Sequence, residues 1–303
     1  MFSKTFCLGF AFLAATTVGT IANFLLLTSY MLNVLAGQKM SSLIFIFTQL
    51  TFVNSTMLGS KGIPQILLGL GWNDFLDDVG CKVVFYLRKV SEGLSVSLTC
   101  LLCALQAIAI SPSSSRWTEF KDRSTKQTTA SYLFCWIFNL LTEIPVAIFA
   151  RGPRSGSNIT NTFDSVFCTS KHTLGAYLII TTFRNVFCLG LMVLASGYMV
   201  LLLHKHHQNI QKIRSTNLSP RRHPEIQATQ TILLLMSTFV SFYALTSIFT
   251  LFLGYFEQKS PWMLPTAIFL SLCYPTISPF VLFPIALRNL STVWVKKKSS
   301  LSH

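Results

Sequence analysis

The sequence predicts an all-α membrane protein, a bundle of seven transmembrane helices with its N-terminus outside and its C-terminus in the cytosol. Three observations carry this expectation. Of 303 residues, 51% are hydrophobic and only 11% charged, whereas a soluble domain carries about 25% charged residues. Seven apolar runs stand at residues 6–34, 41–70, 79–111, 130–150, 174–203, 228–254 and 262–287. Each is long enough to cross about 30 Å of hydrocarbon at roughly 1.5 Å per residue. Lys and Arg gather in alternate connectors: Arg116, Lys121, Arg123 and Lys126, then Lys205, Lys212, Arg214, Arg221 and Arg222, then Arg288 and Lys296 to Lys298. That alternation is the positive-inside pattern. One such bundle with short loops fills residues 1–303 and leaves little room for a separate soluble domain.

The first run is preceded only by Lys4 and is too long for a signal-peptide core, so it reads as a span. Asn23 in its middle needs a hydrogen-bond partner on another helix. The second run holds Asn54 and, near its outer end, Ser60-Lys61-Gly62-Ile63-Pro64, which predicts a kink or loosened turn. An acidic connector with Asp74, Asp77 and Asp78 leads into the third run.

The bundle is organised around that third run. At 100° per residue Cys81, Arg88, Glu92, Ser95, Thr99, Cys103 and Gln106 fall close to one line. Val83, Tyr86, Val90, Leu94, Leu101, Leu105 and Ile108 fall opposite. A charge in hydrocarbon costs roughly 2.5–3.5 kcal/mol even on insertion scales. The polar line must therefore look into the bundle, and the apolar line is expected to face lipid. Pro112 ends the run and opens a basic loop. The fourth run contains Trp136, Glu143 and Pro145, and the fifth contains Arg184 and Asn185. Pro224-Glu225 before the sixth has the chemistry of a helix first turn. A short basic tail follows the seventh, and no internal repeat is visible.

The net charge of +14 suits cytosolic loops beside anionic lipid rather than a nucleic-acid surface, because the cations alternate with outer connectors. Cys81 and Cys168 both fall on the outer, oxidising side and are expected to form a disulfide. Asn158-Ile159-Thr160 is the one glycosylation acceptor motif facing that side; those at Asn54, Asn217 and Asn289 are embedded or cytosolic. Arg88, Lys89, Glu92 and Arg184 are the candidate lining of a ligand pocket. The competing reading is an internal ion pair, Arg88 with Glu92 at i, i+4, in the weaker cation-first order. One acid cannot neutralise three cations, so a further partner is expected: Glu143, the surroundings of Lys61, water or an anionic ligand group. His204, His206 and His207 stand among cations without a carboxylate, which suits a solvated helix extension and no metal. The chain has no H-E-x-x-H, G-x-S-x-G or phosphate loop, so no enzyme is expected, and no cofactor. The seventh run contains no lysine for a retinal Schiff base.

Seven spans, an outer cysteine pair and basic inner loops look like a G-protein-coupled receptor. Longer stretches resemble the vomeronasal type-1 (pheromone) receptors. They include Ser60-Lys-Gly-Ile-Pro-Gln65, Gly80-Cys81-Lys82, Leu98-Thr-Cys-Leu-Leu102 and Gln106-Ala-Ile-Ala-Ile-Ser-Pro112. Further on come His204-Lys-His-His207, Ser215-Thr-Asn-Leu-Ser-Pro-Arg221, Ser237-Thr-Phe-Val-Ser-Phe-Tyr243 and Cys273-Tyr-Pro-Thr-Ile-Ser-Pro-Phe-Val-Leu282. Gln106-Ala107-Ile108 stands where most rhodopsin-like receptors carry an acid-Arg-aromatic triplet, and the sixth run has no proline. Both absences are similar to the vomeronasal group. The resemblance implies a multi-pass plasma-membrane receptor for small pheromone-like molecules, coupled to an inhibitory-type (Gi/Go) heterotrimeric G protein. Ligand would enter near Arg88, Glu92 and Arg184. The G protein would meet Arg116, Arg123, His204, Lys212, Arg214, Arg221 and Arg222. A transporter or channel, and a bitter-taste-like receptor, are the competing readings.

Overall fold

Backbone amides and carbonyls have no water to bond in hydrocarbon, so apolar runs of this length satisfy themselves as helices. The computed structural model describes residues 2–37, 42–72, 75–111, 124–152, 162–165, 168–171, 175–213, 224–255 and 263–300. Among them the helices are α1 (Phe2–Leu35), α2 (Ser42–Gly69), α3 (Asp78–Ile110), α4 (Ser124–Thr142), α5 (Ile144–Phe149), α6 (Gly175–Ile213), α7 (Pro224–Tyr255) and α8 (Met263–Ser300). Three short strands, β1 (Ala150–Arg151), β2 (Thr162–Ser165) and β3 (Cys168–Lys171), form an antiparallel sheet in the order β1-β3-β2. Among the described residues, seven segments are long and apolar enough to cross a membrane, the fourth of them made by α4 and α5 together.

The break between α4 and α5 falls at Glu143, which is followed by Pro145 in the first turn of α5. Proline is tolerated there because the first-turn amide has no intrahelical acceptor. The break leaves Glu143 free to aim inward, and its side chain is buried. By contrast α2 runs without interruption through Pro64.

α1 packs on α2 and α8, and α7 packs on α8. α3 is the central rod, touching α2, α4, α5, α6, α7 and β1. This corrects the expectation of a lipid-facing line along it. Val90 and Leu94, on the apolar side, are only 5% and 1% exposed. With five helices around it, the middle of α3 is enclosed on every side. Its apolar side chains meet those of its neighbours, including Met192 of α6 and Phe239 of α7. Lipid-facing character survives at its first turns, where Val83 and Leu87 are exposed.

Asp77 caps α3, its Oδ1 accepting from the Gly80 amide at 2.8 Å. A carboxylate also suits the positive end of the helix dipole. The next acid, Asp78, accepts from the Gly152 amide at 2.6 Å and so ties α3 to the residue after β1. A disulfide joins Cys81 of α3 to Cys168 of β3, with Cα atoms 5.9 Å apart. Around it lies a small apolar cluster of Phe85, Val146 and Ala150. This end of the bundle is the disulfide end below.

Asn23 finds its partner on α8. Pro279 has no amide hydrogen for the Pro275 carbonyl one turn back. The Asn23 amide donates to that carbonyl at 2.9 Å, while also donating to Gly19 O of its own helix.

Candidate functional site

A row of polar side chains runs down α3, and Glu92, Ser95, Thr99 and Gln106 on it each meet a partner from another helix. Towards the disulfide end, Glu92 lies 3.7 Å from Lys61 Nζ of α2 and 3.7 Å from Lys89 Nζ one turn earlier on α3. The two lysines differ in surroundings: the Lys61 side chain is 1% exposed, that of Lys89 44%. Lys61 Nζ also donates to Ser271 Oγ of α8 at 3.2 Å.

The i, i+4 pair of Arg88 with Glu92 does not form. Arg88 instead places its guanidinium over the Phe85 ring, 5.9 Å from the centroid, and its Nε is buried without a hydrogen-bond partner. The physical reason is competition. The Lys61 ammonium, 1% exposed, would be left dry and without a counterion, so the carboxylate turns to it.

Arg184 belongs to a separate network, on the α4 and α6 side of the rod. Its Nη1 lies 2.9 Å from Glu143 Oε1 and 2.9 Å from Asn139 Oδ1, and its Nε donates to Asn185 Oδ1 at 3.1 Å. Tyr177 donates to the other Glu143 oxygen at 2.7 Å. Asn139 Nδ2 continues the chain to Ser97 Oγ of α3 at 3.1 Å. Gly93 makes room for all of this. A Cβ there would stand 2.2 Å from Asn139 Oδ1 and 2.7 Å from Arg184 Nη1, so only glycine lets these groups approach the rod. Of the partners expected for the surplus cations, Glu143 answers Arg184, while Lys61 brings a further cation to Glu92.

Between α2, α3, α7 and α8 lies a cavity with about 380 Å³ of empty space, counting the part open to solvent. Glu92, Ser95 and Ser271 give it polar points; Met57, Phe239 and Tyr243 are among its larger walls. Of the four candidate pocket residues only Glu92 lines it. The aromatic wall was not anticipated from the sequence. Phe239 and Tyr243, four residues apart on α7, stack with centroids 5.9 Å apart, and Phe239 meets Tyr274 of α8 edge-on at 4.7 Å. The i, i+4 aromatic spacing was the available signal.

Beyond the cavity the row continues. Asn54 Nδ2 donates to Ser278 Oγ at 2.8 Å, Thr99 Oγ1 lies 3.5 Å from Tyr274 OH, and Gln106 Nε2 donates to Thr229 Oγ1 of α7 at 2.9 Å. Near the far end of α6, His204 is exposed. Lys212 lies in the last turn of α6. Arg116, Arg123, Asn158, Arg214, Arg221 and Arg222 lie outside the described residues.

Residues 6–290 match the model of the Vomeronasal organ pheromone receptor family. The chain is 38% identical over 276 residues to human vomeronasal type-1 receptor 4, covering 89% of this chain and 91% of that one. To human vomeronasal type-1 receptor 3 it is 39% identical over 287 residues, covering 93% and 92%. A more distant relative is the zebrafish (Danio rerio) olfactory receptor class A-like protein 1, 28% identical over 279 residues, covering 90% and 87%. Among solved structures, squid rhodopsin superposes with a TM-score of 0.70 at 13% identity, covering 93% of this chain and 77% of that one. That likeness concerns the fold.

Proposed function

The chain belongs to the vomeronasal organ pheromone receptor family, and from that premise we propose that it detects small pheromone-like molecules and activates an inhibitory-type (Gi/Go) G protein. It is a chemosensory G-protein-coupled receptor, a multi-pass plasma-membrane protein and not an enzyme, with a ligand and a G protein as partners.

The observation that carries the ligand reading is the cavity walled by Glu92 and the aromatic residues of α7 and α8. Pockets of this kind suit small molecules: apolar walls with a few polar groups that fix orientation. Lys61, Lys89 and Arg88 outnumber Glu92, so the polar end of the ligand is a hydrogen-bond acceptor or an anionic group. Arg184 is answered within the protein by Glu143 and shapes the site from behind rather than touching ligand. The disulfide end faces outward with the N-terminus, Asn158 carries a glycan there, and the C-terminus is cytosolic. At the other end Arg116, Arg123, His204, Lys212, Arg214, Arg221 and Arg222 meet the G protein.

Ligand works by selecting one of two arrangements of the bundle, and only through its difference in affinity between them. Nucleotide exchange on purified Gi/Go, driven by a panel of small volatile and sulfated or carboxylated compounds, tests this with wild-type, Arg88→Ala and Glu92→Ala receptors. Glu92→Ala is expected to change the ligand response per receptor at the surface, which is counted separately because the variant also strips Lys61 of its counterion. An unchanged response in both variants would remove Glu92 and Arg88 from the site. Exchange on a different G-protein class alone would overturn the coupling.

A further inference from the structure

We propose that Lys61 captures ligands carrying an aldehyde, holding them as a protonated imine against Glu92. The inference rests on reading the adjoining cavity as the ligand site. Lysine amines usually stand in water, but this side chain is 1% exposed. Its nitrogen has two polar neighbours, Glu92 Oε2 at 3.7 Å and Ser271 Oγ at 3.2 Å, and both of those side chains line the cavity. The amine therefore sits one hydrogen bond behind the wall, at the charged corner of a space whose walls include the apolar side chains of Met57, Val96, Phe239 and Leu270 as well as the hydroxyl-bearing Ser95, Tyr243, Thr246 and Tyr274. An aldehyde with a hydrocarbon tail would enter with its carbonyl towards that corner.

Structure alone gives little reason for a lysine here. Lys89 already stands against Glu92 from the same helix. A buried ion pair between α2 and α3 costs the desolvation of two charges, which packed apolar side chains would not. Imine chemistry does use what is present: a primary amine, a carboxylate that can take and return a proton, a hydroxyl, and a site shielded from water.

Glu92 accepts a proton from the Lys61 ammonium, and the Nζ lone pair adds to the carbonyl carbon as the C=O π pair moves to oxygen. The Ser271 hydroxyl relays a proton from nitrogen to that oxygen, giving a carbinolamine. Glu92 then returns its proton to the carbinolamine hydroxyl, which leaves as water while the nitrogen lone pair forms C=N. One ammonium and one aldehyde become one iminium and one water. The carboxylate ends unprotonated, as the counterion of the iminium. No oxidant or reductant takes part.

The test uses full-length receptor in lipid nanodiscs with two probes, hexanal and 1-hexanol, followed by borohydride to fix any imine and peptide mass spectrometry to map N-hexyl lysine. Expected is modification of Lys61 with hexanal, above the background at the exposed Lys205. It is lost in Lys61→Arg, which keeps the positive charge but forms no such imine. If that variant fails to reach the membrane, the map on the unmutated chain decides alone. Should both probes raise thermal stability equally while Lys61 stays unmodified, the cavity binds reversibly and the imine is wrong. Should neither probe stabilise the receptor nor label Lys61, the imine and the cavity reading fall together.

Discussion

Glu143→Gln takes one charge out of the Arg184 pair while keeping the shape of the side chain. The two side chains are 8% and 1% exposed and meet at 2.9 Å, so removing the carboxylate leaves a dry guanidinium without a counterion. Breaking a buried pair in this way costs about 3–5 kcal/mol. The new amide keeps an acceptor for Arg184, which offsets about 1 kcal/mol. The expected loss is then about 2–4 kcal/mol, or a fall in the folded-to-unfolded ratio of roughly thirtyfold to several hundredfold. Heating detergent-solubilised receptor and reading the surviving monodisperse fraction by size-exclusion chromatography measures it, with surface expression as a second readout. The double variant Arg184→Met with Glu143→Met, which buries no charge, is expected to recover most of the loss. A Glu143→Gln receptor as stable as wild type, or a double variant worse than either single change, would refute the claim that this pair needs its charge.

Gly93→Ala is expected to abolish surface expression, because its methyl would stand 2.2 Å from Asn139 Oδ1 and overpacking costs about 1–3 kcal/mol even in milder cases. Gly59→Ala, with nothing within 4 Å of the new methyl, serves as its control and should match or exceed wild type in heat resistance. Cys81→Ser opens a loop whose ends are 87 residues apart. Chain entropy sets an upper figure of about 4.6 kcal/mol for that closure, reduced because inserted helices are already confined. The variant should be retained inside the cell, and normal surface levels would count against a structural role. Gln106→Leu cuts the bond to Thr229 of α7. If that bond belongs to the resting arrangement alone, its loss of about 1 kcal/mol raises ligand-free nucleotide exchange about fivefold; unchanged exchange would show that it persists in both arrangements.

The helices, the partner sought for Asn23 and the Cys81–Cys168 bridge were legible in the sequence because each depends on local chemistry: a run length, a lone amide, two thiols on one side. What the sequence could not give was the azimuth of the neighbours. The apolar line of α3 looks lipid-facing on a helical wheel, and only the positions of α4, α5 and α6 bury Val90 and Leu94. Arg88 and Glu92 are one turn apart on paper, yet Lys61, remote in sequence, takes the carboxylate. Arg184 is expected beside Arg88 and Glu92, yet the counterion it meets is Glu143 at the α4–α5 break, a pairing that no local pattern announces. The aromatic wall shows spacing within α7, but its opposition to Tyr274 depends on how α7 meets α8. α6 and α8 also run on well past their apolar stretches, to Ile213 and Ser300. Hydropathy marks where lipid stops, whereas the helical ladder continues into water.

The bond from Asn23 to the Pro275 carbonyl spans 252 positions of the chain, which gives it a consequence for biosynthesis. The ribosome delivers the amide with α1 and its acceptor only with α8. Until then Asn23 has only the Gly19 carbonyl of its own helix for its amide, and α8 arrives with a backbone oxygen that its own proline cannot serve. The two halves of the bond wait for each other, so the ring of helices closes at this joint only after α8 has been released.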